Sequence, residues 1–153
     1  MTGLYTLKPE AVATLRADNK AVIFAELAHS FAATYGLDAE EVLERLEERE
    51  NLGSTGFGRG IAMPHARVPG LARPVTALLR LEEPVEFNAA DGLPVDLVFG
   101  LLSPENAGAS HLHALAAISR LGRNEDMHEA LIEAPNDEAL YALLTNVADR
   151  NAA

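Results

Sequence analysis

Residues 53–66 run Gly-Ser-Thr-Gly-Phe-Gly-Arg-Gly-Ile-Ala-Met-Pro-His-Ala and place His65 directly after a proline. Ile61-Ala62-Met63 reads as a short buried strand. Pro64, with no N–H to give a sheet ladder, ends it. His65 is then held where strand becomes loop, on a rigid base with an open front. Imidazole is nucleophilic and mostly neutral near neutral pH. Held and accessible, it can attack phosphorus and carry a phosphoryl group. The plainer alternative is a strand-end histidine satisfied by backbone hydrogen bonds.

His111 follows Ser110, which reads as a helix cap, so the imidazole falls in the first turn of that helix. The positive helix end disfavours imidazolium and favours a nearby anion. A neutral histidine among unpaired N–H groups suits a phosphate, although an exposed helix residue without a role is the simpler reading of His111 taken alone. His113 completes a His-Leu-His pair. On a helix, residues i and i+2 point about 200° apart and cannot chelate one ion. The carboxylates lack ligand-like spacing, so no metal and no cofactor is expected. His113 is expected to pack or hydrogen-bond behind the site, and His29 and His128 to be ordinary helix residues.

Arg49, in the run Glu47-Glu48-Arg49-Glu50, and Arg67, two residues beyond His65, are candidate forks for a dianionic phosphoryl group. A run of this kind is otherwise a solvated helix face. Asp96 interrupts an apolar strand, and a buried carboxylate needs partners. It either orients a histidine or, more simply, bonds backbone at a sheet edge. The glycines at 53, 56, 58 and 60 suggest a phosphate cradle. They fail as a dinucleotide fingerprint, because position 61 is isoleucine, the order is helix-loop-strand and no Walker-type lysine follows. They predict a tight loop. Any phosphoryl group has to come from another phosphorylated molecule.

The elements that must position these residues follow from periodicity. Val12 to Leu15 reads as a short first strand. Asp18 or Asn19 caps a helix to about Tyr35, with Phe24, Leu27, Ala28, Phe31 and Tyr35 on its apolar stripe, and Gly36 stops it. Asp38 with Glu41 opens a second helix burying Val42, Leu43 and Leu46. Further strands are Val75–Leu81, a short Val85–Phe87 and, after a turn at Asp91-Gly92, a central Val95–Leu102. A third helix presents Leu112, Leu115, Ala116 and Ser119 on one face. Asn124 caps a fourth, carrying Met127, Ala130 and Leu131. After Pro135, Asn136 starts a last helix with Leu140, Leu143, Leu144 and Val147. The fold class is α/β (α+β), a single domain with a mixed parallel/antiparallel β-sheet flanked by helices on both faces. Its core is about 7–147, within 1–153, and 148–153 is expected to fray.

The 153 residues, 48% hydrophobic and 23% charged, suit one globular domain with a substantial core. A formal net charge of −11 repels phosphate backbones, so no nucleic acid partner is expected. The same field would draw a basic protein, although acidic helix faces that keep the chain soluble also account for it. The absence of cysteine excludes disulfides, thiolate catalysis and cysteine zinc sites. Met1 to Pro9 carries no leader-like apolar segment, and Val95–Leu102, interrupted by Asp96, is too short to span a bilayer. The expectation is a cytoplasmic protein without membrane insertion.

The segment from Glu50 to Ala66 resembles the phosphorylation-site signature of the phosphotransferase-system enzyme IIA family of the mannitol/fructose/nitrogen type. Glu50, Phe57-Gly58 and Ile61-Ala62-Met63-Pro64-His65-Ala66 carry the likeness. It extends over roughly 7–144, through Pro94–Phe99, His111–Leu115 and Asp137–Tyr141. The resemblance implies that His65 carries the phosphoryl group, that a phosphorylated HPr-like (NPr-like) protein is the donor, and that His111 and Arg49 complete the catalytic site. It also implies a mixed sheet flanked by helices. Gly53-Ser54-Thr55 and the His-Leu-His segment are similar to the nitrogen-regulatory branch. Ala66 stands where glycine is commoner, and Arg67 where lysine is common.

The main expectation is therefore a phosphotransferase component. It is a phosphocarrier, with a phosphohistidine intermediate, that acts as a nitrogen- or potassium-related regulator of a transporter or kinase. The alternative is a sugar-specific IIA component passing phosphate to a separate IIB protein in fructose- or mannitol-class uptake. A binding module that no longer turns over phosphate, and more remotely a metal-dependent hydrolase, are the readings from other classes.

Overall fold

The apolar run beginning at Val95 becomes the axis of the sheet. The computed structural model describes residues 4–152, and the side chains of 4–145. In chain order the elements are β1 (Thr6–Leu15), α1 (Lys20–Tyr35), α2 (Ala39–Asn51), β2 (Gly56–Gly58), β3 (Ile61–Ala62), β4 (His65–Val68), β5 (Val75–Val85), β6 (Val95–Pro104), α3 (Ala109–Gly122), α4 (Glu125–Glu133) and α5 (Asp137–Ala152). The six-stranded sheet has the order β1-β5-β6-β3-β2, with β4 also on β6. β5 is antiparallel to β6, whereas β1 on β5, and β3 and β4 on β6, are parallel.

Successive residues of β6 serve opposite faces, as the pleat requires. Val98 and Leu102 join the core under α1 and α2, and Leu97, Phe99 and Leu101 the core under α3, α4 and α5. Gly100 faces α1 across so small a gap that a Cβ would lie 2.8 Å from Leu27 and 2.9 Å from Phe31. Among the described residues no helix is long and apolar enough to cross a membrane.

Most helix signals hold. Asn19, Asp38 and Asn124 cap their helices by accepting backbone N–H bonds, and Gly36 closes α1 in the left-handed conformation. Two strand expectations need correction. The first strand starts at Thr6, not Val12, and its register on β5 shifts between Leu7 and Val12. The Tyr35 hydroxyl fills that gap, donating to the Thr76 carbonyl and accepting from the Lys8 N–H. Its burial pushes the phenol up to about 12. Pro9 is tolerated there because β1 is an edge strand. The separate strands at 75–81 and 85–87 are replaced by one, β5, which ends at Val85 and is irregular between Arg80 and Val85.

The helix face in α3 also differs. Gly108 rather than Ser110 precedes the helix and provides no side-chain cap. The buried residues are His111, Ala114, Ile118 and Leu121, so Leu112 is 62% exposed. α5 continues to Ala152 through part of the segment read as a tail, while Ala153 and the side chain of Val147 lie outside what is described.

Arg80 ties the α3–α5 layer to the sheet. Buried within β5, it donates to the carbonyls of Leu131, Ile132 and Ala134 at the end of α4, and to Thr14 Oγ1. Thr14 in turn donates to Asp137 at the start of α5. The cation at a helix C-terminus is favoured by the dipole as well as by the bonds. Arg80→Met keeps the stem and removes every donor. It is expected to cost about 3 kcal/mol or more in urea unfolding, because buried carbonyls lose their partner.

Candidate functional site

Proline chemistry places His65, though not as a strand end. β3 stops at Ala62, and Pro64 interrupts the ladder. The chain then rejoins the same edge of β6, where His65 opens β4 opposite Leu101. The interruption is anchored on both sides, by the Met63 N–H to the Thr55 carbonyl and by the Leu101 N–H to the Pro64 carbonyl. His65 is therefore the first residue of a strand, set in a parallel ladder just after Pro64 and two residues beyond the Met63 carbonyl.

That carbonyl receives the ring. His65 Nδ1 lies 2.8 Å from the Met63 oxygen. A carbonyl only accepts, so Nδ1 carries the proton and Nε2 keeps its lone pair. Burial holds the His65 pKa below its ordinary value. Arg49 and Arg67 act in the same direction, against the Met63 carbonyl and Glu50. The result is a half-buried neutral imidazole with a defined tautomer.

His111 comes from the first turn of α3, and its ring centroid is 5.8 Å from that of His65. Its own N–H is taken by the Gly108 carbonyl. The ring is 6% exposed, and its Nδ1 is 2.7 Å from Ser103 Oγ. Burial, then the charges of Arg67 and His65, lower its pKa to about 4. Both rings are neutral at neutral pH, so they coexist without like-charge repulsion.

The arginines frame the pair. Arg49, in the last turn of α2, donates to the Gly53 carbonyl. Arg67 lies opposite Ser103 in the β4–β6 register and donates to the Ala107 carbonyl in the loop before α3. Arg45 fastens the same loop to the strand by bonding the Arg67 carbonyl and Glu105. Glu50, nearly buried, accepts from Thr55 N–H and Oγ1 and pairs with Lys20 at 2.6 Å. The glycine-rich stretch is thus partly a strand, β2, paired antiparallel with β3, rather than all loop.

The outer histidines fall elsewhere. His113 is exposed, not packed behind the site. His128 is no ordinary helix residue, since its Nε2 lies 2.8 Å from Asp96 Oδ1, tying α4 to the first residues of β6. Asp96 therefore partners a histidine, but not one near His65. Among the described residues no cluster of histidine and acidic side chains could hold a metal ion. Sequence reasoning passed over Ser103 and Arg45. Ser103 carried a faint signal as a polar residue at the end of an apolar strand, and Arg45 none, because its targets are backbone and loop.

Residues 6–147 match the family described as phosphoenolpyruvate-dependent sugar phosphotransferase system, EIIA 2. The chain is similar to the nitrogen regulatory protein of Pseudomonas aeruginosa, 48% identical over 110 residues covering 72% of this chain and 71% of that protein. It is similar to the nitrogen regulatory protein of Bradyrhizobium diazoefficiens, 42% identical over 137 residues covering 89% and 90%. The crystal structure of nitrogen regulatory protein IIA-Ntr from Neisseria meningitidis shares the fold at a TM-score of 0.84 and 35% identity, covering 90% of this chain and 95% of that one.

The depressed histidines give stability a signed pH dependence. Above 6.5, the ordinary histidine value, neither folded nor unfolded His111 is protonated and its contribution vanishes. Below that the unfolded chain binds the proton first, so stability falls as pH drops from 6.5 towards about 4. His65 acts in the same sense. His111→Gln is expected to flatten the fall in urea midpoint across that window relative to wild type.

Proposed function

The chain belongs to the phosphoenolpyruvate-dependent sugar phosphotransferase system EIIA 2 family, and on that premise we propose that His65 accepts a phosphoryl group from a phosphorylated HPr-like protein. The observation that carries this reading is the 2.8 Å bond from His65 Nδ1 to the Met63 carbonyl. It fixes the proton on one nitrogen and leaves the other as the nucleophile.

In the proposed step, His65 Nε2 forms a bond to phosphorus in line as the donor's P–N bond breaks. The donor imidazole leaves with that electron pair. Positive charge grows on the His65 ring, and the Met63 carbonyl takes it up through the Nδ1 proton. Charge on the transferring oxygens is met by Arg49 or Arg67 and by an N–H of His111. Neither acid–base chemistry on a small substrate nor a cofactor is required; catalysis is positioning plus charge stabilisation.

The names of the relatives favour a regulatory role. Proteins similar to this chain over most of its length are nitrogen regulatory proteins. The phosphorylation state of His65 would then set the affinity for a regulated transporter or kinase, in nitrogen- or potassium-related control, from a cytoplasmic location. A phosphorylated histidine adds about −1.5 to −2 charge in front of the arginine pair, enough to remodel a docking face.

The test is intact-protein mass after mixing with an HPr-type donor charged by its own kinase and phosphoenolpyruvate. One acid-labile phosphate is expected on wild type and none on His65→Ala. Wild type that stays unmodified with several donors removes the carrier reading. In the same assay Arg49→Gln and Arg67→Gln are each compared with wild type, and the arginine that contacts the phosphoryl group is expected to slow transfer by on the order of 100-fold. Transfer onward from His65 to a IIB protein would turn the assignment towards sugar uptake.

A further inference from the structure

Ser103 is fully buried, yet it presents a hydroxyl at the end of the most apolar strand of the protein. Its partner is His111 Nδ1 at 2.7 Å, and its side chain makes no other hydrogen bond among the described residues. The neutral imidazole has one proton to share between two nitrogens, so the contact can be made in two ways. If Nδ1 carried the proton and Ser103 accepted it, the serine's own O–H would be left in the interior with nothing to receive it. If Ser103 donates, its O–H is satisfied and the imidazole proton lies on Nε2, the nitrogen on the far side of the ring.

We infer that Ser103 is a positioning residue for phosphoryl transfer. Its hydroxyl donates to His111 Nδ1, places the imidazole proton on Nε2 and so makes that nitrogen a hydrogen-bond donor towards the phosphoryl group on His65. The inference rests on the carrier reading of His65, which it deepens. The sheet register supports it. Ser103 lies opposite Arg67, and Leu101, two residues earlier on β6, lies opposite His65. His65, Arg67, Leu101 and Ser103 therefore alternate onto the face of the sheet that α3 covers. His111 descends onto that face from above, its ring 5.8 Å from that of His65. One hydroxyl fixes both the tilt of the ring and the nitrogen that carries its proton. The two site histidines are thereby set as opposites. A carbonyl at His65 Nδ1 leaves an acceptor and nucleophile at Nε2, and a hydroxyl donor at His111 Nδ1 leaves a donor there.

The test reads the tautomer directly. Long-range proton–nitrogen NMR of wild type is expected to show His111 protonated on Nε2. Ser103→Ala is expected to give a mixture of tautomers and to accept phosphate about tenfold or more slowly, whereas Ser103→Thr, which keeps the hydroxyl, restores both. A wild-type His111 protonated on Nδ1 overturns the inference. So does a Ser103→Ala protein with an unchanged tautomer and an unchanged rate. If wild type takes no phosphate, the carrier reading fails by itself, and the role assigned to Ser103 in transfer falls with it.

Discussion

The orientation of His65 depends on one bond, from its ring to the carbonyl of Met63. Proline cannot donate to a ladder, and Pro64 is placed where β3 would otherwise run on into β4 along the edge of β6. The Met63 N–H bonds the Thr55 carbonyl rather than β6, and the side chain of His65 closes back onto the Met63 carbonyl at 2.8 Å. The Met63 carbonyl therefore fixes both the orientation of the His65 ring and the nitrogen that carries its proton.

A second constraint follows from burial in an acidic molecule. The chain carries a formal charge of −11, yet two histidines lie close together without becoming cations. Desolvation disfavours their charged forms, and Arg49 and Arg67 reinforce it locally against the surrounding carboxylates. Arg45 and Arg67 also draw the loop before α3 down onto β4, which brings His111 to His65. The positive residues thus assemble the site and set its electrostatics, while the acidic faces of the helices remain in solvent. On the same layer of helices, Arg80 does comparable structural work, holding the end of α4 through backbone carbonyls alone.

How much of this was legible in the sequence divides along physical lines. Local signals were reliable. Asn19, Asp38 and Asn124 are caps because a short polar side chain before an apolar periodic run has few other uses, and Gly36 ends its helix for lack of a Cβ penalty. His65, with its motif, was visible because proline punctuation is local. Non-local partners were not visible. The irregular pairing of β1 needs a tyrosine from α1, and the pairing of Asp96 with His128 spans two elements separated by α3. The buried face of α3 runs through His111, Ala114, Ile118 and Leu121 and leaves Leu112 in solvent, a choice set by packing on the sheet rather than by the apolar spacing, which fits either face. Ser103 could be seen as polar in an apolar strand, but only the folded chain shows what it touches.

The central claim is that His65 Nε2 is the atom that bonds to phosphorus, with Nδ1 reserved for the Met63 carbonyl. The most direct measurement is nitrogen NMR of the phosphorylated protein, reading which imidazole nitrogen of which histidine is coupled to phosphorus. The account predicts coupling at His65 Nε2, with the proton retained on Nδ1. Coupling at His65 Nδ1, or at any other histidine, would contradict it.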